Sequence, residues 1–263
     1  MKRIVVIADT HCGHKFGLTP PSWWESEEAG EERSKKQRAF QRSLWEWYAG
    51  VIESLKPIHC LISNGDMLEG KGEKTGGIEL ITSSRLEQIK MAAAVINVAE
   101  AQKVRIIYGT GYHVGRDEDF ESLLPDLVEC SDAKVSGHPF FEVNGCNFDF
   151  KHKIGRSTIP HGRITPLIRA ALWNAIWNSR GRQPKARFFV RSHVHYYESW
   201  KNAEWEGVIT PALQYNTIYG IRECEGVVDL GLVYFDVEDD GACSGHNAVL
   251  ADLRELSVSA ESI

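Results

Sequence analysis

Three short apolar runs each stop at side chains able to bind metal or move a proton. Ile4-Val5-Val6-Ile7-Ala8 ends in Asp9-Thr10-His11, Ile58-His59-Cys60-Leu61-Ile62 in Ser63-Asn64-Gly65-Asp66, and Val104-Arg105-Ile106-Ile107-Tyr108 in Gly109-Thr110-Gly111-Tyr112-His113. Runs of this length rich in β-branched residues read as buried strands. The chain between them has helical spacing. Phe40, Leu44, Trp47, Val51 and Leu55 form a core-facing stripe over residues 34–55, and Leu86, Ile89, Ala93 and Ile96 share one face within residues 78–101. Strands alternating with helices point to an α/β sheet whose ligand-binding edge lies at the carboxyl ends of its strands. Asp9 and His11, two apart in extended chain, are expected to point to the same side. One Asp-x-His triplet reads equally well as a surface loop, but three strand ends with the same chemistry do not.

The second half repeats the pattern with different connections. Residues 140–150 read as a hairpin around Asn144-Gly145, a strong turn dipeptide, and lead into Lys151-His152-Lys153. A helix is expected over residues 165–179 with Thr165 as its cap and Pro166 in its first turn. Arg187-Phe188-Phe189-Val190 is a further strand, ending in Arg191-Ser192-His193-Val194-His195, whose two histidines fall on one side of an extended segment. More strands are expected at 208–210 and 227–237. Residues 239–263 read as a loop and a short, weakly specified segment. One domain over 1–263 is expected, with a loop-helix insertion around 13–55.

Composition narrows the partners. A formal charge of −6 over 263 residues gives no overall basic footprint, so nucleic-acid binding would rely on a local patch or on metal. Six scattered cysteines without a Cys-x-x-Cys pair read as reduced thiols in a cytoplasmic protein. The first apolar run stops after five residues, too short for a signal peptide, and no membrane span is expected.

The strand-end residues Asp9, His11, Asp66, His113, His152, His193 and His195 form a mixed oxygen and nitrogen set, suited to Mn²⁺, Fe or Zn²⁺. Even six such ligands are too many for one tetrahedral ion; they suit two ions about 3.5–4 Å apart, as in phosphate ester hydrolysis. His14, His59, His138, His161 and His246 read as ordinary loop or core residues. Arg116 and Arg156 read equally well as phosphate-steering or as solvated side chains.

The ordered set Asp-x-His, Gly-Asp, Gly-x-x-x-His, a lone His and His-x-His, each after a strand, resembles the calcineurin-like metallophosphoesterases over about residues 3–215. The resemblance implies a four-layer α/β/β/α sandwich of two mixed sheets with a dinuclear metal centre at the strand ends. It assigns Asp9, His11 and His195 to the first ion, Asp66 to both, and His152 and His193 to the second, with His113 beside the substrate as the catalytic acid. The cofactors implied are two divalent ions, Mn²⁺ first, with Fe, Zn or Ni as alternatives. One element departs: the family motif Gly-Asn-His reads Gly109-Thr110-Gly111-Tyr112-His113 here. Either Thr110 supplies the missing oxygen or the second ion has one protein ligand fewer. The Gly-Thr-x-x-His variant also resembles phage and prophage phosphoesterases. The arginines of the family's protein phosphatases are absent after Glu69 and before Gly109, which favours a phosphodiesterase acting on nucleic acid or a nucleotide. In that reading Trp23 and Trp24 are available to stack on bases. A phosphomonoesterase, or a non-catalytic binding module that retains the fold, are the alternatives.

Overall fold

Alternate residues of the first strand face two different cores. In the computed structural model, which describes residues 1–24, 32–73, 76–114, 120–223 and 226–253, the first strand is β1 (Lys2–Ile7). Its Ile4 and Val6 enter one apolar cluster while Val5 and Ile7 enter another. This is the period of two expected of a strand buried on both faces.

The remaining elements follow as α1 (Glu32–Leu55), β2 (Cys60–Ser63), α2 (Arg85–Asn97), β3 (Lys103–Ile107), the short helices α3 (Gly111–Val114) and α4 (Leu124–Leu127), β4 (Ala133–Ser136), β5 (Phe140–Val143) and β6 (Cys146–Phe150). After these come α5 (Thr165–Ser179), β7 (Phe188–Arg191), β8 (Glu198–Lys201), β9 (Glu206–Ile209), α6 (Ile218–Glu223), β10 (Gly231–Val237) and β11 (His246–Leu250). One sheet runs β11-β10-β1-β2-β3-β4 and the other β5-β6-β7-β9-β8. Both are mixed: β1 pairs parallel with β2 and antiparallel with β10, and β9 pairs parallel with β7 and antiparallel with β8.

The two sheets face each other across an aromatic core. Phe148, Phe150 and Phe188 of the second sheet pack against Ile4, Val6, Ile62 and Phe235 of the first. Phe148 stacks on Phe188 with centroids 4.8 Å apart and meets Phe235 edge-on at 5.2 Å, geometries that ring quadrupoles favour. On the outer side of the first sheet, α1 and α2 bury Phe40, Leu44, Tyr48, Ile89 and Ile96. On the outer side of the second, Leu167 and Ala171 of α5 meet Ile209 and Phe189. The four layers expected from the sequence are therefore present.

Several local expectations need correction. The buried stripe of α1 is Phe40, Leu44, Tyr48, Ile52 and Leu55, with Trp47 and Val51 only half-buried beside it, because the 3.6-residue period carries the core line to the next position. Helix α2 begins at Arg85, since Ser84 accepts the Glu87 N–H at 3.4 Å and caps it, and Leu86 is exposed. Thr165 does not cap α5; the helix continues from a 3₁₀ turn over Pro160–Gly162. Strands β4, β8 and β11 carry little apolar signal and were not expected; β11 lies within residues 239–263 and pairs with β10. The hairpin turn is as expected, with Asn144 and Gly145 both at positive φ, as a type I′ turn requires. Among the described residues Cys12, Cys60, Cys130, Cys146 and Cys243 are free thiols, and no helix is long and apolar enough to cross a membrane.

Candidate metal centre

The expected site residues meet at one edge of the sandwich, but their backbone is not the extended chain that their spacing implied. Asp9, His11, Asp66, His193 and His195 all have positive φ, between 44° and 80°. Non-glycine residues rarely adopt this region, and clusters of them mark sites where the surroundings over-determine the backbone. Hydrogen bonds between strand-end loops supply that constraint: Asp9 N–H donates to Gly65 O at 3.0 Å, His11 N–H to Asp66 O at 3.1 Å, and Leu213 N–H to Asp9 O at 3.1 Å.

These kinks sort the side chains into groups whose potential ligand atoms lie within 4.8 Å of one another: Asp9 with His11 and His195, and Asp66 with His152 and His193. The expectation that His193 and His195 share a side fails. His193 Nδ1 stands 3.8 Å from Asp66 Oδ2, whereas His195 Nε2 stands 3.4 Å from Asp9 Oδ1. The two groups touch where Asp9 Oδ1 comes within 3.9 Å of His152 Nε2.

Several details fit a cation between these atoms. His11 Nε2 and His195 Nε2 face each other at 3.3 Å. The Asp9 Oδ1 beside them is buried and receives no hydrogen bond, an arrangement that burial penalises without a partner. His152 directs Nδ1–H at Asn64 O at 2.6 Å, which leaves Nε2 directed at Asp66 Oδ2, 2.9 Å away. A backbone carbonyl that fixes the outer nitrogen is the usual support for a ligating imidazole. The buried carboxylates and histidines are therefore consistent with a dinuclear metal site.

Electrostatics in the metal-free protein tell the same story. Burial opposes ionisation of Asp9, yet His195 and His152 hold its carboxyl at about 2. Asp66 is held well below the ordinary range, against burial, by His152. Against the same burial, Asp66 and Asp9 raise His152 to about 10, whereas burial and neighbouring His113 push His11 down to about 4.

Two glycines make room for this packing. A Cβ on Gly65 would stand 2.5 Å from the His152 ring, and one on Gly109 would stand 2.1 Å from Asp66 Oδ1. Thr110, the residue in question as a ligand, spends its polar atoms on Asp66. Its N–H donates to Oδ1 at 2.6 Å and its hydroxyl lies 3.2 and 3.3 Å from the two carboxylate oxygens.

Two acidic residues were not foreseen. Glu69 Oε2 lies 2.9 Å from His11 Nδ1 and 3.8 Å from His113 Nδ1, accepts from Gln214 Nε2 at 3.2 Å, and forms a third ligand-capable group with those histidines. His113 Nδ1–H donates to Glu69 O at 2.9 Å. The signal was its place three residues after Asp66. Glu121 is buried and accepts Met67 N–H on Oε1 at 2.9 Å and Gly109 N–H on Oε2 at 2.7 Å, tying together the loops after β2 and β3. Nothing in its local sequence marks it.

A cavity of about 450 Å³ opens beside the centre, with His113, Lys153, Arg156, Tyr196, Tyr215 and Val228 among its walls. Trp23 and Trp24 are not among them. Trp23 Nε1 donates to Glu87 of α2 and Trp24 Nε1 to Thr19 O, so both indole N–H groups tie down that loop. His14 is buried with Nε2 3.6 Å from Glu79, and His246 sits between Glu206 and Tyr197; neither joins the ligand-capable groups. Arg116 lies outside the described residues.

No protein-family model matches the sequence, and no curated protein matches it. Among solved structures the chain is similar to an archaeal phosphodiesterase, at 10% identity and a TM-score of 0.48, over 95% of this chain and 99% of that one. It is similar to wild-type Vps29 of Entamoeba histolytica in complex with zinc, at 12% identity and a TM-score of 0.43, over 94% and 98% of the two chains. A predicted phosphoesterase of Streptococcus pneumoniae is similar at 8% identity and a TM-score of 0.38, over 95% and 98%.

Proposed function

We propose that this chain is a metal-dependent phosphodiesterase. The observation that carries the reading is the pair of largely buried Asp-His-His groups side by side at the strand ends, with Asp9 Oδ1 receiving no hydrogen bond between them. Asp9, His11 and His195 would hold one ion and Asp66, His152 and His193 the other. Thr110, whose N–H and hydroxyl meet the Asp66 carboxylate, would orient Asp66 instead of binding metal, which would leave the second site one protein ligand short of the related motif. Bound ions of this kind supply a water acidic enough to attack phosphorus near neutral pH, and charge to offset that on the phosphoryl oxygens.

The remaining work belongs to the chain. Because His113 Nδ1–H is engaged by the Glu69 carbonyl, Nε2 is the nitrogen free to act. With a second proton carried there, the ring would give that proton to the departing oxygen and be left neutral, a role worth roughly 10²–10⁴-fold. Glu69 and Gln214 hold the imidazoles in register. Lys153 and Arg156 at the cavity wall attract the anionic diester, while Tyr196 and Val228 exclude water beside it.

Metal analysis and turnover of bis(4-nitrophenyl) phosphate with added Mn²⁺ test this together. About two ions per chain, hydrolysis of the diester ahead of 4-nitrophenyl phosphate, and loss of turnover in Asp66→Asn are expected. A protein that binds no ion, or that binds ions and hydrolyses neither ester, is a binding module and the proposal fails.

A further inference from the structure

The acidic chain contains one long stretch with no acid in it. Residues 150–197 carry ten Lys and Arg and no Asp or Glu, which leaves 20 basic against 36 acidic residues for the rest. This stretch supplies His152, His193 and His195, the basic cavity residues Lys153 and Arg156, and all of α5. The stretch therefore joins basic residues of the cavity wall to the helix that covers the second sheet.

Helix α5 shows apolar surface that the fold does not use. Leu167 and Ala171 point into the sheet, while Trp173 and Trp177 remain 55% and 41% exposed and Leu172 is exposed beside them. Arg169, Trp173 and Trp177 recur at steps of four, so they line one face with an axial rise of about 6 Å per step. Arg180 continues the line, its guanidinium 5.9 Å from the Trp177 ring. At the other end Arg169 reaches the cavity rim: its Nη2 lies 3.1 Å from the place a Cβ would occupy on Gly155, a cavity-lining residue. Among the described residues Lys153, Arg169 and Arg180 have no ion-pair partner, whereas Lys185 beyond the helix is 3.7 Å from Glu204. The unneutralised charge thus runs from the cavity along the indoles and stops near the end of α5.

We infer that a single-stranded nucleic acid lies along this stripe, with its phosphates on Lys153, Arg169 and Arg180, bases stacked on Trp173 and Trp177, and one diester reaching the cavity. Alternating cations and exposed aromatic faces are what an unpaired strand engages, since each base presents a π-face and each linkage a charge. A duplex hides its bases from such a platform. A second copy of this chain would set Arg169 and Arg180, which have no ion-pair partner among the described residues, against themselves, and like charges there oppose association. The cavity end of the inference rests on the phosphodiesterase reading; the stripe does not.

The test is fluorescence anisotropy with labelled oligo-dT of about 12 nucleotides, within the site sizes of such grooves, in chelator so that no cleavage occurs. Trp173→Ala/Trp177→Ala is expected to bind at least tenfold more weakly, because stacking on each indole is worth roughly a factor of five to a hundred or more. Trp173→Phe/Trp177→Phe, which keeps an aromatic face, is expected to stay within about fivefold of wild type. Arg169→Gln is expected to lower the slope of log affinity against log salt by about 0.7. Circular dichroism and the thermal midpoint verify that each variant is folded. The inference is overturned if the wild type does not bind the strand at low salt, if the alanine pair binds as tightly as wild type, or if blunt duplex of equal length binds as well. It is also overturned if sedimentation shows a dimer that the alanine pair abolishes. Binding of the strand without hydrolysis of the small diester refutes the phosphodiesterase and leaves the stripe standing; hydrolysis without strand binding does the reverse.

Discussion

Replacing Gly65 with Ala should disable the candidate centre without altering any ligand. Gly65 sits at φ +92°, in the left-handed half of the map where an L-residue is strained by about 1–2 kcal/mol. The new Cβ would stand 2.5 Å from Cγ and Nδ1 of His152, against 3.4 Å for ordinary contact. The ring must therefore retreat by about 0.9 Å, several times the roughly 0.2 Å tolerance of a metal–ligand distance. It has little freedom to do so, being buried with both nitrogens engaged by Asn64 O and Asp66. Losing the Asn64 hydrogen bond inside the protein costs about 1–3 kcal/mol more. The sum, about 2–5 kcal/mol, corresponds to a fall in thermal midpoint of roughly 4–20 °C for a chain of this size. Affinity for the second ion should drop on the order of 10–100-fold or beyond. Calorimetric unfolding of the metal-free protein and titration with Mn²⁺ measure the two effects separately. Because most of the damage is a collision with one ring, Gly65→Ala/His152→Ala should be far less destabilised than the two single changes added together. A Gly65→Ala protein with wild-type midpoint and wild-type metal affinity would refute the reasoning.

Other perturbations probe the supporting residues. Burial, with Asp66 nearby, pushes the Glu121 carboxyl up to about 7, and both its oxygens receive backbone N–H groups. Glu121→Gln offers one oxygen for two donors and should lose about 1–3 kcal/mol in denaturant unfolding; a variant as stable as wild type would show that the clasp does not matter. His113→Ala should keep its metal content while turnover falls roughly 10²–10⁴-fold, and loss of the metals instead would contradict its place outside the two Asp-His-His groups. The Asp9 and Glu69 carboxyls are both held at about 2, despite burial, by histidines around them. A depressed carboxyl contributes stability that is present above the ordinary range and lost as pH falls through the depressed value. The thermal midpoint of the metal-free protein should therefore drop on acidification from about pH 4.5 toward pH 2, and a midpoint unchanged across that window would contradict the burial of these groups in ionised form.

How much of this was legible in the amino-acid order differs from residue to residue, and the reason is the range over which each signal acts. Strands β1, β2 and β3 are short β-branched runs, so their existence, and the Asp or His that follows each, could be read locally. So could the Asn144-Gly145 turn and the α/β layering, because periods of two and near four announce which faces are buried. The weak strands β4, β8 and β11 could not, since each is held mainly by pairing with a neighbour and not by an apolar pattern of its own. The same limit holds within the centre. The spacing of Asp9 to His11 and of His193 to His195 suggested pairs on one side of an extended chain. The folded protein instead bends each pair through left-handed residues, sending His193 to Asp66 and His195 to Asp9. That choice is imposed by hydrogen bonds between loops distant in sequence, such as Asp9 to Gly65. Glu121 belongs to the same class, since its value lies in meeting Met67 and Gly109 at once. The order of residues places metal-capable side chains at strand ends because buried strands must end in polar chain. Which of them converge is a property of packing two sheets face to face, and no local pattern contains it.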